Sequence, residues 1–150
     1  MKTISVSNRD IQLNGGKIQF ATGNAKLVQD LQRWLEEPIG TGWTSPGFGS
    51  LLNSYIGQTQ NVVGTGTVEN EVFRVLQLYQ GQQILSLKNA QTSATLGNWN
   101  KSELIQSIIS IKTNVQATSI ICNISLTTLD NSTINLTLSI NNNGVSVQHG

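Results

Sequence analysis

Residues 120–148 read IICNISLTTLDNSTINLTLSINNNGVSVQ, and apolar and polar residues alternate through most of this stretch. A period of two is typical of antiparallel strands with one buried face and one exposed face. The clusters around Asp130 and Asn142 are rich in turn residues, so they separate successive strands. Because a weaker alternation begins near Ile108, the pattern predicts an antiparallel β-meander over residues 108–150.

Helical periodicity replaces this alternation earlier in the chain. An apolar residue recurs at helical spacing from Leu27 to Leu35, Asn24 is placed to cap the first turn, and Pro38 ends the segment. A second, longer helix is predicted over about 67–88. It carries two apolar sets that we expect to form one wide buried face: Val68, Val72, Val75, Leu76 and Tyr79, widened by Phe73, Leu78, Ile84, Leu85 and Leu87.

Two further segments flank the first helix. The turn sequence Asn14-Gly15-Gly16 lies between two short alternating stretches and predicts a hairpin within residues 1–22, although the same segment also fits an extended arm. Residues 38–50 form a loop that holds both prolines of the chain. Because Trp43 and Phe48 are large apolar side chains, we expect this aromatic loop to be packed against the rest of the molecule.

The order of these segments predicts an α+β fold, with N-terminal helices followed by a C-terminal antiparallel β-meander. A chain of 150 residues is expected to form a single domain. Residues 1–22 are its hairpin or arm, residues 23–107 the helical part with the aromatic loop 38–50, and residues 108–150 the meander.

The composition is unusually poor in charge. Charged residues make up 11% of the chain, against about a quarter in an average soluble protein. Asn, Gln, Ser and Thr account for 60 of the 150 residues. The net charge of +1 without a basic cluster argues against a nucleic-acid partner, and no apolar run approaches the roughly 20 residues of a membrane span. Since interfaces deplete charge at their centres, the composition favours an assembly subunit.

Residues that perform catalysis are few and poorly placed. His149 lies near the chain end, where side chains are rarely fixed, and Cys122 falls on the apolar side of a strand, where a thiol acts as a small hydrophobe. Glu36 and Glu37 are adjacent, so their side chains diverge on a helix and do not form the facing carboxylate pair of a glycosidase. We therefore expect no enzymatic activity, no catalytic residue, no cofactor and no metal site.

The segment 34–52, WLEEPIGTGWTSPGFGSLL, resembles a motif of the baseplate wedge family of contractile-tailed phages, also called the sheath initiator. In that family an apolar helix is followed by a glycine, then by Pro-x-Phe-Gly and a short helix. Here Gly40 and Pro46-Gly47-Phe48-Gly49 match, and a long helix and paired C-terminal strands follow in the same order. The chain departs from the family at Gly42-Trp43, where a basic residue is usual, and at Lys101-Ser102-Glu103-Leu104, where the family has Glu-Pro-Arg.

The resemblance implies a structural protein of the virion, made in the host cytoplasm and located in the tail baseplate around the tube. Its C-terminal strand edges would initiate sheath assembly. The implied partners are other baseplate wedge proteins, the tail sheath protein and the tail tube, with no nucleic acid and no membrane. Proteins usually guard exposed strand edges with lysine or proline, and residues 118–148 contain neither.

The expected interface combines the aromatic loop with the polar side and the centre of the meander. Its residues are Trp43, Pro46, Phe48, Gly49, Asn123, Ser125, Thr127, Asn135, Leu136, Thr137 and Ser139. The residues also leave open a polar β-rich module that binds carbohydrate or another surface, in which Trp43 and Trp99 would stack on sugars.

Overall fold

The computed structural model describes residues 2–7, 10–58, 64–92 and 99–150. Within these ranges two α-helices pack on one face of a four-stranded antiparallel sheet. The α+β prediction with a C-terminal meander is confirmed, but the predicted order is wrong in part because six short strands precede the first helix. The elements are β1 (Thr3–Ile4), β2 (Val6–Ser7), β3 (Asp10–Ile11), β4 (Leu13–Asn14), β5 (Lys17–Ile18), β6 (Phe20–Ala21), α1 (Gly23–Glu36), α2 (Thr65–Thr92), β7 (Ile105–Val115), β8 (Ser119–Thr128), β9 (Thr133–Asn141) and β10 (Gly144–His149).

The C-terminal sheet follows the alternation of the sequence. Its strand order is β10-β9-β8-β7, and each neighbouring pair is antiparallel. Every second residue of β8 and β9 points into the core, so that Cys122, Leu126 and Leu138 are fully buried. The strand β7 begins at Ile105, earlier than the predicted boundary, and carries two register shifts against β8.

The helix α1 forms where the leucine spacing predicts it. Leu27, Leu31 and Leu35 are fully buried and belong to the same core cluster as the inner face of the sheet. The helix ends at Glu36, shortly before Pro38, which cannot donate the next main-chain hydrogen bond.

The start of α1 differs from the prediction. Asn24 is not the cap, because the helix already begins at Gly23, and Thr22 at the cap position makes no side-chain capping bond. Instead the N–H of Gly23 donates to Oε1 of Glu103 at 3.0 Å. A distant carboxylate thus satisfies one of the N–H groups that every helix start leaves without an internal partner.

The helix α2 buries only one of its two apolar sets. Val72 and Val75 lie in the core with the rest of the first set. The prediction that the second set widens this face is wrong for four of its members, because a helix packed on a sheet buries a single stripe and these residues project from another side. Between 42% and 53% of each is exposed: Phe73, Leu78, Ile84 and Leu85. Neither α2 nor any other helix in the described ranges is long and apolar enough to cross a membrane.

A seven-residue pattern occurs three times before α1, as Ile4-Ser5-Val6, Ile11-Gln12-Leu13 and Ile18-Gln19-Phe20. We call residues 3–7 and 10–21 the N-terminal module. Each copy pairs with one neighbour through its first half and with the other through its second half. Three main-chain hydrogen bonds close a ring at the centres of the copies: Ser5 N–H to Gln19 O, Gln19 N–H to Gln12 O, and Gln12 N–H to Ser5 O.

The module replaces the single hairpin that the turn sequence predicts. That hairpin is present only where β4 pairs with β5, around Gly15 and Gly16, which both have positive φ angles. The flanking residues Asp10 and Phe20 pair instead with β2 and β1. The turn was therefore predicted correctly, whereas the extent of the hairpin was not.

Candidate protein-interaction surfaces

The polar side of the meander forms one outer face of the sheet. Asn123 and Asn135 are exposed on it, while the inner face of the same strands is apolar and buried. Hydroxyl and amide groups pair across neighbouring strands: Ser125 Oγ donates to Asn135 Oδ1 at 2.7 Å, and Thr137 Oγ1 donates to Asn123 Oδ1 at 3.3 Å. These predicted interface residues therefore share one largely uncharged face together with Thr127 and Ser139.

Leu136 does not belong to this face. Its side chain is 1% exposed and packs in the core between the sheet and the helices. The prediction that Leu136 contacts a partner is therefore corrected: its contribution is to hold the strand in place, since a buried side chain cannot reach another chain.

The aromatic loop is packed at Phe48 and exposed at Trp43. The ring of Phe48 lies 4.6 Å from that of Trp34, centroid to centroid, and the Arg33 guanidinium is 5.8 Å from the centroid of Phe48. Pro46 is exposed, and 94% of the Trp43 surface is exposed. The prediction of a packed loop is thus right for Phe48 and wrong for Trp43.

Gly49 and Ser50 fasten this loop to the end of α1. A Cβ atom at Gly49 would lie 2.4 Å from the carbonyl oxygen of Glu37, and Gly49 has a φ angle of +106°, so this position requires glycine. Next to it, the N–H of Ser50 donates to that same carbonyl at 2.8 Å, and Ser50 Oγ donates to Leu35 O at 2.7 Å. The Pro-x-Phe-Gly segment is therefore a structural clamp on α1.

Replacing Phe48 by alanine is expected to lower the free energy of unfolding by about 2 kcal/mol, since a half-buried ring and its contact with Trp34 are lost. Urea denaturation followed by circular dichroism measures the change. Trp43→Ala is the control from the same loop and should change stability by less than about 0.5 kcal/mol, because its side chain is exposed. Equal effects of the two substitutions would contradict this description of the loop.

The sheet separates the two groups of predicted interface residues. Phe48 packs on α1, which covers the inner face of the sheet, whereas Asn123 and Asn135 stand on the outer face. The structure therefore brings the polar residues of the meander together but does not bring the loop to them.

The outer edge of β7 faces α2. Side chains of α2 form hydrogen bonds with main-chain groups of β7 near both ends of the strand. The N–H of Thr113 donates to Glu69 Oε1 at 2.9 Å. At the other end, the N–H of Ile105 donates to Gln83 Oε1 at 3.1 Å, and Gln80 Nε2 donates to Ile105 O at 3.1 Å. Side chains of α2 therefore cover this edge at Ile105 and Thr113, near its two ends.

The outer edge of β10 is held at one residue. The N–H of Val147 donates to Glu36 Oε1 at 2.8 Å, and Gln32 Nε2 donates to Val147 O at 3.0 Å. Along an edge strand, the main-chain N–H and C=O of every second residue point away from the neighbouring strand. Val145 is two residues before Val147, so its N–H and C=O point to the same outer edge. Within the described ranges, no side chain bonds to these two main-chain groups of Val145.

A groove runs along this edge of β10. Two adjoining cavities of about 930 and 610 Å³ lie between β10 and the N-terminal module. Both are lined by Val6 on the module side and by Arg33 and Glu36 of α1. Gln29 forms part of the floor and anchors the module, because its amide bonds to Ile4 O and accepts from the N–H of Val6. We call this space the β10 groove.

The carboxylates of the chain are engaged in structural contacts. All eight accept a hydrogen bond from this chain, and four of them accept from main-chain N–H groups far along the sequence or in another element. These four pairs are Glu36 with Val147, Glu69 with Thr113, Glu71 with Leu51, and Glu103 with Gly23. The hydrogen bonds from Thr128 and Ser132 lower the pKa of Asp130 below its usual value.

The cysteine and the histidine also lie in positions that do not form a reactive site with other side chains of the described residues. Cys122 is fully buried, as predicted, and burial raises the pKa of its thiol, which disfavours the reactive thiolate. His149 is exposed at the end of β10. Among the described residues, no group of three or more His, Cys, Asp or Glu side chains could hold a metal ion.

Six exposed apolar residues on the N-terminal module were missed at the level of sequence. Between 39% and 64% of each is exposed: Ile4, Val6, Ile11, Leu13, Ile18 and Phe20. The threefold recurrence at a spacing of seven was the signal that could have identified them. The side chains that hold the sheet edges carry no comparable signal, since Gln32 and Glu36 read as ordinary polar positions of an amphipathic helix.

Comparison with known proteins identifies no relative of this chain. No protein-family model matches the chain. No curated protein and no solved structure matches it either.

Proposed function

We propose that this chain is a structural subunit of a contractile phage tail baseplate, located in the virion, that initiates the sheath by offering a strand edge. One observation carries the proposal. The C-terminal sheet ends on each side in a strand, β7 or β10, whose outer edge has no strand partner within the described ranges. The sheet is thus able to accept a further strand from another subunit.

The physical basis of such an addition is the main chain. Each new hydrogen bond between strands contributes about 1 kcal/mol net, and the alternation of side chains fixes the register. The outer face around Asn123 and Asn135 is largely uncharged, so a partner that meets it desolvates few charges; the exposed Lys112, which pairs with Asn123, is one of them. The partners are the tail sheath protein, other baseplate wedge proteins and the tail tube.

The loop supports the same proposal through its motif. Pro46-Gly47-Phe48-Gly49 is the segment that resembles the sheath initiator family, and in this chain it clamps the end of α1 through Gly49 and Phe48. Because α1 also carries Gln32 and Glu36, the clamp fixes the helix that borders β10. The proposal gives the carboxylates structural functions and assigns the chain no catalysis.

The proposal is tested with the sheath and tube proteins encoded in the same genome. Purified chain immobilised on a surface should bind the sheath subunit, and soluble chain should promote sheath polymerisation on tubes, visible by electron microscopy. Tubes without the chain should stay bare. Absence of binding, together with equal sheath polymerisation without the chain, would overturn the proposal.

One observation favours a second function. The Trp43 indole is almost completely exposed on the loop, as in sites that stack on sugars. In this alternative the chain is a polar β-rich module that binds carbohydrate or another surface. Binding to a glycan array that is lost in Trp43→Ala would support it, and an array without signal would exclude glycans as the ligand.

A further inference from the structure

We propose that the N-terminal module carries a docking face for a second copy of this chain, and that two copies join face to face through it. The proposal goes beyond the function proposed above, since it concerns contacts between copies of this chain and involves no sheath, tube or wedge protein. It rests on the register of the six short strands, on the exposure of six apolar residues, and on which side chains share a face.

The register places the six exposed apolar residues of the module on one face. Residues two apart on an extended stretch point to the same side, and so do residues directly opposite each other in an antiparallel pair. The first rule joins the two apolar residues within each copy of the repeat: Ile4 with Val6, Ile11 with Leu13, and Ile18 with Phe20. The second rule joins each copy to the next, through the pairs Val6–Ile11, Leu13–Ile18 and Phe20–Ile4. These links close a ring, so all six residues share one face, which we call the module face.

The intervening residues of the module point to the opposite side. There Ser5 Oγ donates to Gln12 Oε1 at 2.7 Å. The charged residues Asp10 and Lys17 each precede an apolar residue of the module face, so they also point away from it. Among the described residues of the module, apolar side chains alone therefore form the module face. This separation is typical of a sheet that buries one face, yet in the described part of the chain the apolar side is exposed.

The accessible area of the module face is sufficient for an interface. A large apolar residue has about 200 Å² of surface when fully exposed, and the six are between 39% and 64% exposed, which leaves roughly 600 Å² accessible to water. The largest apolar patch on a monomeric protein is typically about 300–600 Å² and is often functional. Two such faces placed against each other would bury up to about 1,200 Å², which is the lower limit for a specific, stable complex.

A second copy of this chain fits the module face better than a polar or charged ligand does. The described residues of the face offer no hydrogen-bonding or charged side chain with which to hold a sugar or a phosphate. Because the face is uncharged, a second copy turned onto it brings no like charges together. Both copies contribute the same patch, so the contact closes at two chains. The module needs no rearrangement, since Gln29 of α1 already holds it through Ile4 O and the N–H of Val6.

Sedimentation of the purified full chain over a series of concentrations tests the proposal. An interface of this small size should give a dimer with a dissociation constant on the order of 10 µM. The observed mass should therefore rise from that of one chain to that of two across this concentration. A chain that keeps the mass of a monomer at about 100 µM, tenfold above this value, would overturn the proposal.

Leu13→Glu tests whether the module face forms the contact. Leu13 is the most exposed of the six residues, so the substitution adds a charge to the face and removes nothing from the core. It should weaken dimerisation at least about 100-fold, because the carboxylate would lose its water when the two faces meet. Gln12→Glu is the matched control, since it adds the same charge one residue away on the opposite side and keeps the acceptor for Ser5 Oγ. Its dissociation constant should stay within about twofold of that of the wild-type chain.

Leu85→Glu examines the competing apolar surface on α2. Leu85 is also exposed but lies outside the module, so this substitution should leave the dimer intact. A dimer that survives Leu13→Glu and is lost in Leu85→Glu would assign the contact to α2 and overturn the proposal. Equal weakening by Leu13→Glu and Gln12→Glu would also contradict it, because any added charge would then suffice.

A measurement on the wild-type chain gives a result that depends on no substitution. A soluble paramagnetic probe broadens the nuclear magnetic resonance signals of exposed methyl groups. As the concentration rises through the dissociation constant, the methyl signals of Leu13 and Ile18 should become protected from the probe, while those of Leu85 should stay broadened. Protection of Leu85 with none at Leu13 would refute the assignment of the module face. The circular dichroism spectrum of each variant shows whether its fold is retained.

Discussion

Replacing Leu136 by aspartate is expected to unfold the C-terminal sheet. Leu136 is 1% exposed in the middle of β9, so the substitution removes a buried apolar side chain and places a carboxylate in the core. The loss should be at least about 4 kcal/mol, which is comparable with the whole stability of many domains. Thermal and urea denaturation measure it, and under the proposed function the variant should also fail to initiate sheath assembly while leaving tubes intact.

Asn135→Asp is the matched control for this substitution. Asn135 neighbours Leu136 on the same strand but lies exposed on the outer face, where its Oδ1 accepts a hydrogen bond from Ser125. An aspartate at this position keeps the acceptor and leaves its charge in water, so the free energy of unfolding should change by less than about 0.5 kcal/mol. Similar stability of the Leu136→Asp and Asn135→Asp proteins would contradict the assignment of the two faces.

Gly49→Ala should produce the second-largest loss, about 3 kcal/mol, because the new Cβ meets a main-chain oxygen and the backbone conformation disfavours any side chain. The nearest atom to that Cβ would be the carbonyl oxygen of Glu37 at 2.4 Å, and this atom belongs to the end of α1. The loop must therefore shift, which weakens the contact of Phe48 with Trp34. Urea denaturation followed by circular dichroism detects the change.

Gly47→Ala supplies the comparison within the same motif. No atom lies within 4 Å of a Cβ atom placed at Gly47, and the residue does not have a positive φ angle. Its replacement should therefore be neutral within about 0.5 kcal/mol. An effect of Gly47→Ala as large as that of Gly49→Ala would show that the loop is sensitive to any added side chain rather than clamped at one glycine.

The features that sequence predicted well are those set by a local period. Alternation over β8 and β9 identified the buried face of the sheet, because a side-chain period of two follows directly from strand geometry. The spacing from Leu27 to Leu35 identified the buried face of α1 for the same kind of reason. Pro38 marked the end of that helix, since proline lacks the N–H that a further turn requires.

The features that sequence missed depend on which surfaces meet. Phe73 and Ile84 are as apolar as the buried residues of α2, and only the position of the sheet decides that they stay outside. In the N-terminal module, the turn at Gly15 and Gly16 gave a strong local hairpin signal. That signal concealed the repeat around Ser5, because pairing among three copies cannot be read from one turn.

The hydrogen bonds between glutamate side chains and the main chain at the sheet edges could not be predicted from the sequence, for a further reason. Glu36 bonds to Val147 and Glu69 bonds to Thr113, yet nothing near these glutamates in sequence indicates a distant main-chain partner. The meander was predicted to have edges that await another chain, and that remains a proposal. What the structure adds is that α1 and α2 border these edges with side chains.

The contact between Gly23 and Glu103 has a consequence for how the molecule becomes ordered. These residues are separated by 80 positions, so the acceptor for the first turn of α1 arrives only after a long segment of chain has closed. Loop closure of this kind is opposed by entropy and slows folding when native contacts are far apart in sequence. The first turn of α1 therefore gains this acceptor only after residue 103 has been synthesised and has docked, and a nascent chain that ends before residue 103 lacks it.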